Sequence, residues 1–222
     1  MMTRQLAIFT LTFMVFSCST KEKRTVVKTF ASGTTEKEVI YLNPQDTLEY
    51  SEVTYFENGK LKSYRDFHAG RFNGKIIDYY ENGQKKFEGL TDMGLFIGTK
   101  TTYDSTGMVL QIDSLDEKCA LDYCCCDGTV TRFFPNGKVK EKFTNKSGER
   151  TGKTQFWYSN GKLKMERTYL QGNLNGPTTE YYDTLTIHGQ YLNGKEVGAW
   201  KYVDTLKRVI KTVMYKDGLI VE

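Results

Sequence analysis

Four of the five cysteines in this sequence lie within eight positions, and they are its most reactive residues. The cluster runs Cys119-Ala-Leu-Asp-Tyr-Cys124-Cys125-Cys126. Adjacent cysteines bridge each other only with strain, so this spacing favours a disulfide from Cys119 to one of the other three. Free thiols and a soft-metal site are the alternatives, although the spacing matches no common zinc pattern.

The fifth cysteine, Cys18, follows a short apolar run near the N-terminus. Arg4 precedes this run, which covers about eleven residues at 6–16, whereas a helix needs about 20 residues to span a bilayer. A basic start and a short apolar run are typical of a secretory signal peptide. The final letters V-F-S-C resemble a bacterial lipobox. An ordinary secretion signal with an incidental cysteine is the alternative.

The lipobox resemblance implies a signal peptide at 1–17, followed by a lipidated Cys18 and a polar tether at 18–26. In such lipoproteins the cysteine thiol carries a diacylglycerol and its amine a further acyl chain. One chain anchors a protein marginally, but two or three hold it firmly. We therefore expect a lipid-anchored protein of the cell envelope, on its periplasmic or surface face, where disulfides persist.

The sequence offers little for catalysis or for nucleic-acid binding. His68 and His188 stand without a motif, and there is no G-x-S-x-G, Walker loop or H-E-x-x-H. The formal net charge of +4 is too small to indicate a nucleic-acid partner. These observations predict a protein that is not an enzyme and has no cofactor.

The elements that position these residues are internal repeats. Residues 131–154 align with 155–178 at an offset of 24, which brings Asn136-Gly137-Lys138 onto Asn160-Gly161-Lys162. Glycines repeat at the same period along most of the chain: Gly59, Gly83, Gly107, Gly137 and Gly161 in one series, and Gly74, Gly98, Gly128, Gly152, Gly176 and Gly198 in the other. Both series place six extra residues in one unit, within the cysteine-rich segment 111–127.

Each unit has the pattern of a β-hairpin. A large apolar residue recurs before the turn: Tyr79, Tyr103, Phe133, Trp157, Tyr181 and Val203. Asn-Gly between two strand-like runs is a strong hairpin signal, because both residues tolerate positive φ. Glycine pairs four apart, such as Gly70 and Gly74, suit a second reversal. The prediction is an all-β chain of tandem hairpins.

The pattern Y-Y-x-N-G-x-L-K followed by G-x-x-x-G resembles the bacterial variant of the MORN repeat, over roughly residues 50–222. This resemblance implies hairpins of about 24 residues in an elongated, twisted antiparallel sheet. It implies binding or scaffolding rather than catalysis. Some proteins with such repeats are labelled antitoxin-like, which gives an alternative function. The third unit departs from the pattern at Ser105-Thr106-Gly107, and the sixth at Asp183-Thr184-Leu185.

The resulting domain organisation has a degenerate N-terminal capping unit at 27–52 and a repeat domain at 53–222. A terminal unit is expected to be atypical because it must end the stack. We expect a protein partner of unknown identity and a membrane contact through Cys18.

Lysines follow several of the turns and could form a ladder of positive charge: Lys60, Lys62, Lys138, Lys140, Lys162 and Lys164. Solubility and protection of exposed strands are the simpler explanation for them. The chain is also rich in aromatic residues, with 15 Tyr and 13 Phe. These could bind sugar or peptide, or could pack across strands within the sheet.

Overall fold

The computed structural model describes residues 22–116, 119–120 and 127–221. Within them all regular structure is β, as predicted. The strands are β1 (Lys23–Thr29), β2 (Thr35–Tyr41), β3 (Glu49–Tyr55), β4 (Leu61–His68), β5 (Arg71–Tyr79), β6 (Lys85–Asp92), β7 (Leu95–Tyr103), β8 (Val109–Leu115), β9 (Cys119–Ala120), β10 (Gly128–Phe133), β11 (Val139–Lys146), β12 (Glu149–Trp157), β13 (Leu163–Leu170), β14 (Asn173–Tyr181), β15 (Leu185–Leu192), β16 (Lys195–Asp204), β17 (Val209–Lys216) and β18 (Leu219–Ile220). No helix in the described ranges is long and apolar enough to cross a bilayer.

The strands form one open antiparallel sheet in which neighbours in the chain are neighbours in space. Each strand from β1 to β7 pairs with the next. β8 pairs with β10, and pairing then continues in chain order to β18. The short β9 lies beside β7. The predicted twisted sheet of tandem hairpins is confirmed.

One end of the strands carries a series of turns, four of which contain Asn-Gly. We call this series the turn row: 30–34, 56–60, 80–84, 104–108, 134–138, 158–162, 182–185 and 204–208. In the second turn the Phe56 N–H donates to the Lys60 carbonyl at 2.8 Å, and the Gly59 N–H donates to the Phe56 carbonyl at 2.9 Å. Positive φ occurs at Gly59 but not at Asn58. The predicted hairpin turn is therefore present, with only its glycine at positive φ. The Asn58 side chain instead accepts the Lys60 N–H at 3.0 Å.

The opposite end of the strands carries two-residue turns in which both residues have positive φ. They are Ala69-Gly70, Met93-Gly94, Ser147-Gly148, Gln171-Gly172, Asn193-Gly194 and Asp217-Gly218. This geometry is the type I′ hairpin turn. Only the first glycine of each predicted pair makes the reversal. The second lies within a strand: a Cβ on Gly74 in β5 would lie 2.7 Å from the Asp66 carboxylate.

A β-bulge recurs just after the turn row, where the returning strand carries one extra residue opposite its partner. The residues at this position are Lys62, Lys86, Leu110, Lys140, Lys164 and Ile210. The hairpin of β14 and β15 has a shorter turn and no such shift. Bulges re-aim side chains and bend the strand, so this one determines what the turn row displays.

Packing within the sheet is largely aromatic and runs across the strands. Tyr50 stacks on Phe67 with ring centroids 4.9 Å apart, and Phe67 lies 4.8 Å from Phe72. Trp200 contacts Tyr191 at 5.3 Å and is nearly buried. Aromatic pairs across strands are a main source of sheet stability. The sheet therefore builds its core within one layer, between neighbouring hairpins.

The six extra residues lie between β8 and β10, which pair directly with each other. A Cβ on Gly128 would lie 2.1 Å from the Ser114 carbonyl oxygen, so β10 can begin here only with glycine. At the other end of the chain, β1 begins at Lys23, four residues before the predicted start of the capping unit.

Candidate binding surface

The turn row is held together by side-chain amides that reach from one turn to the next. Asn82 donates to the carbonyl of Ser105 at 2.6 Å, and Asn136 donates to the carbonyl of Ser159 at 2.7 Å. The hydroxyl of Tyr80 adds a bond of 3.0 Å to the Tyr103 carbonyl. Successive turns are two strands apart. Because paired strands lie about 4.8 Å apart, this separation is about 10 Å. Groups displayed here therefore repeat at a fixed interval.

In four of the units the lysine at the bulge lies over the aromatic residue that begins the turn, and we call this series the lysine–aromatic row. The pairs, with the distance from Nζ to the ring centroid, are Lys62 and Phe56 at 5.8 Å, Lys86 and Tyr80 at 5.8 Å, Lys140 and Phe134 at 5.9 Å, and Lys164 and Tyr158 at 5.5 Å. The ring belongs to the first residue of the turn and the lysine to the bulge. A cation over an exposed ring gains about 0.5–1 kcal/mol, which is enough to orient the lysine.

The four ammonium groups of this row remain available to a partner. All four lysines are exposed, and among the described residues none of them forms an ion pair. Other turn lysines are already engaged. Lys138 donates to the Asn160 carbonyl at 2.6 Å, and Lys162 lies 3.2 Å from Asp183. The row is therefore a line of positive charge with an aromatic base.

The row is interrupted in the unit that precedes the insertion. Asp104 replaces the turn aromatic there and Leu110 replaces the lysine. The Asp104 carboxylate accepts the Thr106 hydroxyl at 2.6 Å and the N–H of Met108 at 3.0 Å. These hydrogen bonds, chiefly the one from the Thr106 side chain, lower the pKa of Asp104. The lysine–aromatic row thus has two parts, one on each side of this unit.

Tyrosines at the ends of strands that lead into the turn row donate hydrogen bonds to carboxylates of the preceding strand. Tyr103 donates to Glu88, Tyr55 donates to Glu38, and Tyr181 donates to Glu166 at 3.1 Å. Burial, followed by the bond to Glu88, raises the pKa of Tyr103 to about 12. These pairs fix the strand ends beneath the turns and occupy their own hydrogen-bonding groups, so we assign them to stability.

A cleft of about 250 Å³ lies beside the insertion, and its lining includes Lys100, Asp113 and Arg132. Lys100 lies 3.5 Å from Asp113, and Arg132 lies 2.9 Å from Glu141. Glu141 also pairs with Arg150 at 2.8 Å. Both cations of this cleft are therefore paired with carboxylates, which favours packing over binding of an anionic ligand.

The residues predicted as sites from the sequence fall largely outside the described ranges. Cys18, Cys124, Cys125 and Cys126 lie outside them, and Cys119 is described only as part of β9. The described residues contain no group of three or more His, Cys, Asp or Glu that could hold a metal ion.

The two histidines are far apart in the sheet. His188 is exposed on β15, and His68 lies 3.4 Å from Glu49. The lysine ladder differs from the predicted one. Lys138 and Lys162 are bound to neighbouring groups, and Lys86 was not predicted. Lys86 stands 24 residues after Lys62, so the repeat period could have revealed it.

Comparison with known families locates the repeat unit. Four segments match the MORN repeat variant. They are residues 51–68, 72–92, 127–144 and 150–171. Each covers one hairpin of the turn row: β3 with β4, β5 with β6, β10 with β11, and β12 with β13. Comparison with the curated proteins found no match. The MORN repeat hairpins support a repeat protein involved in binding or scaffolding.

Proposed function

We propose that this chain is a lipid-anchored, non-catalytic scaffold of the cell envelope that binds a protein through the lysine–aromatic row. The observation that carries the proposal is the repetition of one exposed lysine over one ring at the same place in four hairpins. Arrays of this kind suit extended partners, because each repeat adds one similar contact. The charge of the row fits an acidic surface.

The anchor rests on the N-terminal sequence, in which an apolar run ends at Cys18. The tether is short, since β1 begins at Lys23. The sheet would then lie close to the membrane. No feature of the described residues favours the antitoxin-like alternative.

Fractionation tests the anchor. The wild-type chain is expected in the detergent phase of a membrane extract, and treatment with globomycin should lead to accumulation of the larger unprocessed form. Cys18→Ala should leave a chain that no longer partitions with lipid. A wild-type chain of full length in the cytosol would contradict the anchor.

Crosslinked pull-down from membranes tests the row. Replacing Lys62, Lys86, Lys140 and Lys164 by glutamine should reduce capture of the partner about tenfold or more, because each exposed charge contributes to association. The matched control replaces four exposed lysines outside the row: Lys75, Lys142, Lys146 and Lys195. Equal loss in both variants would show that total charge, rather than the row, determines capture.

A further inference from the structure

Asparagine followed by glycine is a reactive pair, because glycine has no Cβ to hinder attack by its main-chain nitrogen on the asparagine side chain. The chain contains seven such pairs. Four lie in the turn row and begin with Asn58, Asn82, Asn136 and Asn160. The other three begin with Asn73 in β5, Asn175 in β14 and Asn193 in a two-residue turn at the opposite end of the strands. The four pairs of the turn row can be compared directly, since they occupy the same place in equivalent hairpins.

The main chain surrounds these four asparagines in the same way. In each turn the glycine N–H donates to the carbonyl of the first turn residue at 2.8–2.9 Å. The side-chain oxygen of each asparagine accepts the N–H of the residue two positions later at 2.9–3.1 Å. All four asparagines are exposed. A difference in their reactivity must therefore come from the side-chain amide nitrogen.

That nitrogen has a partner in three of the four turns. Asn82 and Asn136 donate to a main-chain carbonyl of the following turn at 2.6 and 2.7 Å. Asn58 donates to the Glu81 carboxylate at 3.2 Å. Within the described ranges the Asn160 nitrogen has no acceptor, and the side chain is held only through its oxygen, by the N–H of Lys162.

The turn that follows Asn160 explains the missing bond. This turn is one residue shorter than the four that contain Asn-Gly, and the side chain of its second residue, Asp183, lies 3.2 Å from Lys162. A cleft of about 360 Å³ lies between the two turns, with Asn160 and Tyr182 in its lining. The Asn160 side chain therefore has room to rotate, and water reaches it.

From these observations we infer that Asn160 is the site in the turn row that deamidates. The Gly161 nitrogen loses its proton and forms a bond to the Asn160 Cγ, the bond from Cγ to Nδ2 breaks, and ammonia leaves. One water molecule then opens the cyclic imide at either carbonyl, which gives an aspartate or an isoaspartate at position 160. Attack requires Cγ to turn toward the Gly161 nitrogen. A hydrogen bond from Nδ2 to the next turn opposes that rotation at Asn82 and Asn136.

Lys138 selects between the two products. Its ammonium donates to the main-chain carbonyl of Asn160 at 2.6 Å. Hydrolysis of the imide at this carbonyl gives the isoaspartate, in which the same group becomes the free carboxylate. The ammonium polarises the carbonyl and then stabilises the carboxylate by a charge-assisted bond, so the isoaspartate should predominate.

Either product changes one end of the lysine–aromatic row. The turn begins at Tyr158, whose ring carries Lys164. Both products add a negative charge to this turn, and the isoaspartate also lengthens its main chain by one methylene. The effect on partner capture rests on the proposed function. The reaction itself does not, so failure of either proposal is distinguishable from failure of the other.

Peptide mapping of the full chain carrying Cys18→Ala tests the site. The folded chain is incubated at mildly alkaline pH in water labelled with oxygen-18, which marks each deamidated peptide with one heavy oxygen. Label should enter at Asn160 about fivefold or more faster than at Asn82 or Asn136, the ratio expected from one neutral hydrogen bond. In the urea-unfolded chain the rates should converge. Equal rates in the folded chain would overturn the inference.

Two substitutions at Glu81 test the cause with a matched pair. Glu81→Ala removes the acceptor of Asn58 and should raise the rate at Asn58 toward that of Asn160. Glu81→Gln keeps an acceptor oxygen and should leave the rate near its wild-type value. An unchanged rate at Asn58 in the Glu81→Ala chain would overturn the role of the amide bond.

A substitution at Lys138 tests the product. Isoaspartate is measured by enzymatic methylation with an isoaspartyl methyltransferase. Lys138→Gln should lower the share of isoaspartate among the products at position 160. A share that does not change would contradict the role of Lys138.

Discussion

At the scale of the residue, the tyrosine–glutamate pairs predict how the fold responds to alkaline pH. Burial, followed by the bond to Glu88, raises the pKa of Tyr103 to about 12, against about 10 in an unfolded chain. The folded state therefore holds this proton more tightly. The stability from Tyr103 is complete below about pH 10 and is lost as the pH rises toward 12.

We expect Tyr103→Phe to lower the free energy of unfolding by about 1 kcal/mol at pH 8 and to weaken its fall between pH 10 and 12. Urea unfolding at pH 8 and pH 11 measures both effects. Tyr79→Phe is the matched control. Tyr79 ends β5 in the same way, but its hydroxyl has no carboxylate partner among the described residues. Identical behaviour of the two variants would contradict the role of Glu88.

At the scale of the element, one strand depends on a close contact between a glycine and an indole ring. A Cβ placed on Gly189 in β15 would lie 2.3 Å from the ring of Trp200 in β16. We expect Gly189→Ala to lower the free energy of unfolding by about 1–3 kcal/mol, the usual cost of overpacking. Thermal or urea unfolding of the full chain provides the measurement.

The control for this prediction is the same substitution beside a smaller neighbour. With Trp200→Leu in the background, Gly189→Ala should cost much less, since the ring is gone and alanine suits a strand interior better than glycine. A double-mutant cycle then yields a coupling energy of about 1 kcal/mol or more. Equal costs in both backgrounds would mean that Trp200 is not the obstacle.

Period and turn chemistry allowed most of these elements to be predicted from the sequence. The series from Gly59 to Gly161 located five of the turns because each of them has its glycine at positive φ. The bulge at Lys62 and its equivalents could not be predicted, because register depends on pairing between strands. Gly189 also escaped notice, since its reason is a tertiary contact with Trp200 and it belongs to neither series.

The binding surface was less predictable than the fold. The sequence showed lysines after the turns, but not which of them the sheet engages. Lys138 bonds the next turn, whereas Lys140, two residues later, stays free over a ring. Whether a lysine bonds the next turn or stays free depends on the distance between neighbouring units, which the sequence does not give.

At the scale of the whole molecule, the sheet behaves as a one-dimensional stack. Between the described strands, pairing joins elements close in sequence, with the excursion at β9 as a local exception. Stability should then be a sum over hairpins and their neighbours. A cut after Thr178, where the repeat 155–178 ends, would fall within β14. Removal of an internal unit tests the same idea without creating a broken strand.

We expect that deleting residues 155–178 leaves a folded chain. The deletion removes one complete period of 24 residues and joins Thr154 directly to Thr179. Thr178 is the equivalent of Thr154 one period later, so Thr179 follows Thr154 in phase with the repeat. Strand alternation and turn positions are thus preserved. Circular dichroism should keep its β signature, and the urea m-value should fall with the smaller surface exposed on unfolding.

The matched control deletes residues 155–177, one residue fewer. The remaining strand is then shifted by one position, and such a slip turns every following side chain of that strand to the other face of the sheet. The joined strand would have β11 on one side and β15 on the other, so the error would reach both of its neighbours. This chain should be far less stable than the one lacking 155–178. Equal stability of the two deletions would mean that the sheet tolerates slipped register, and the turn row could not then hold its lysines at a fixed interval.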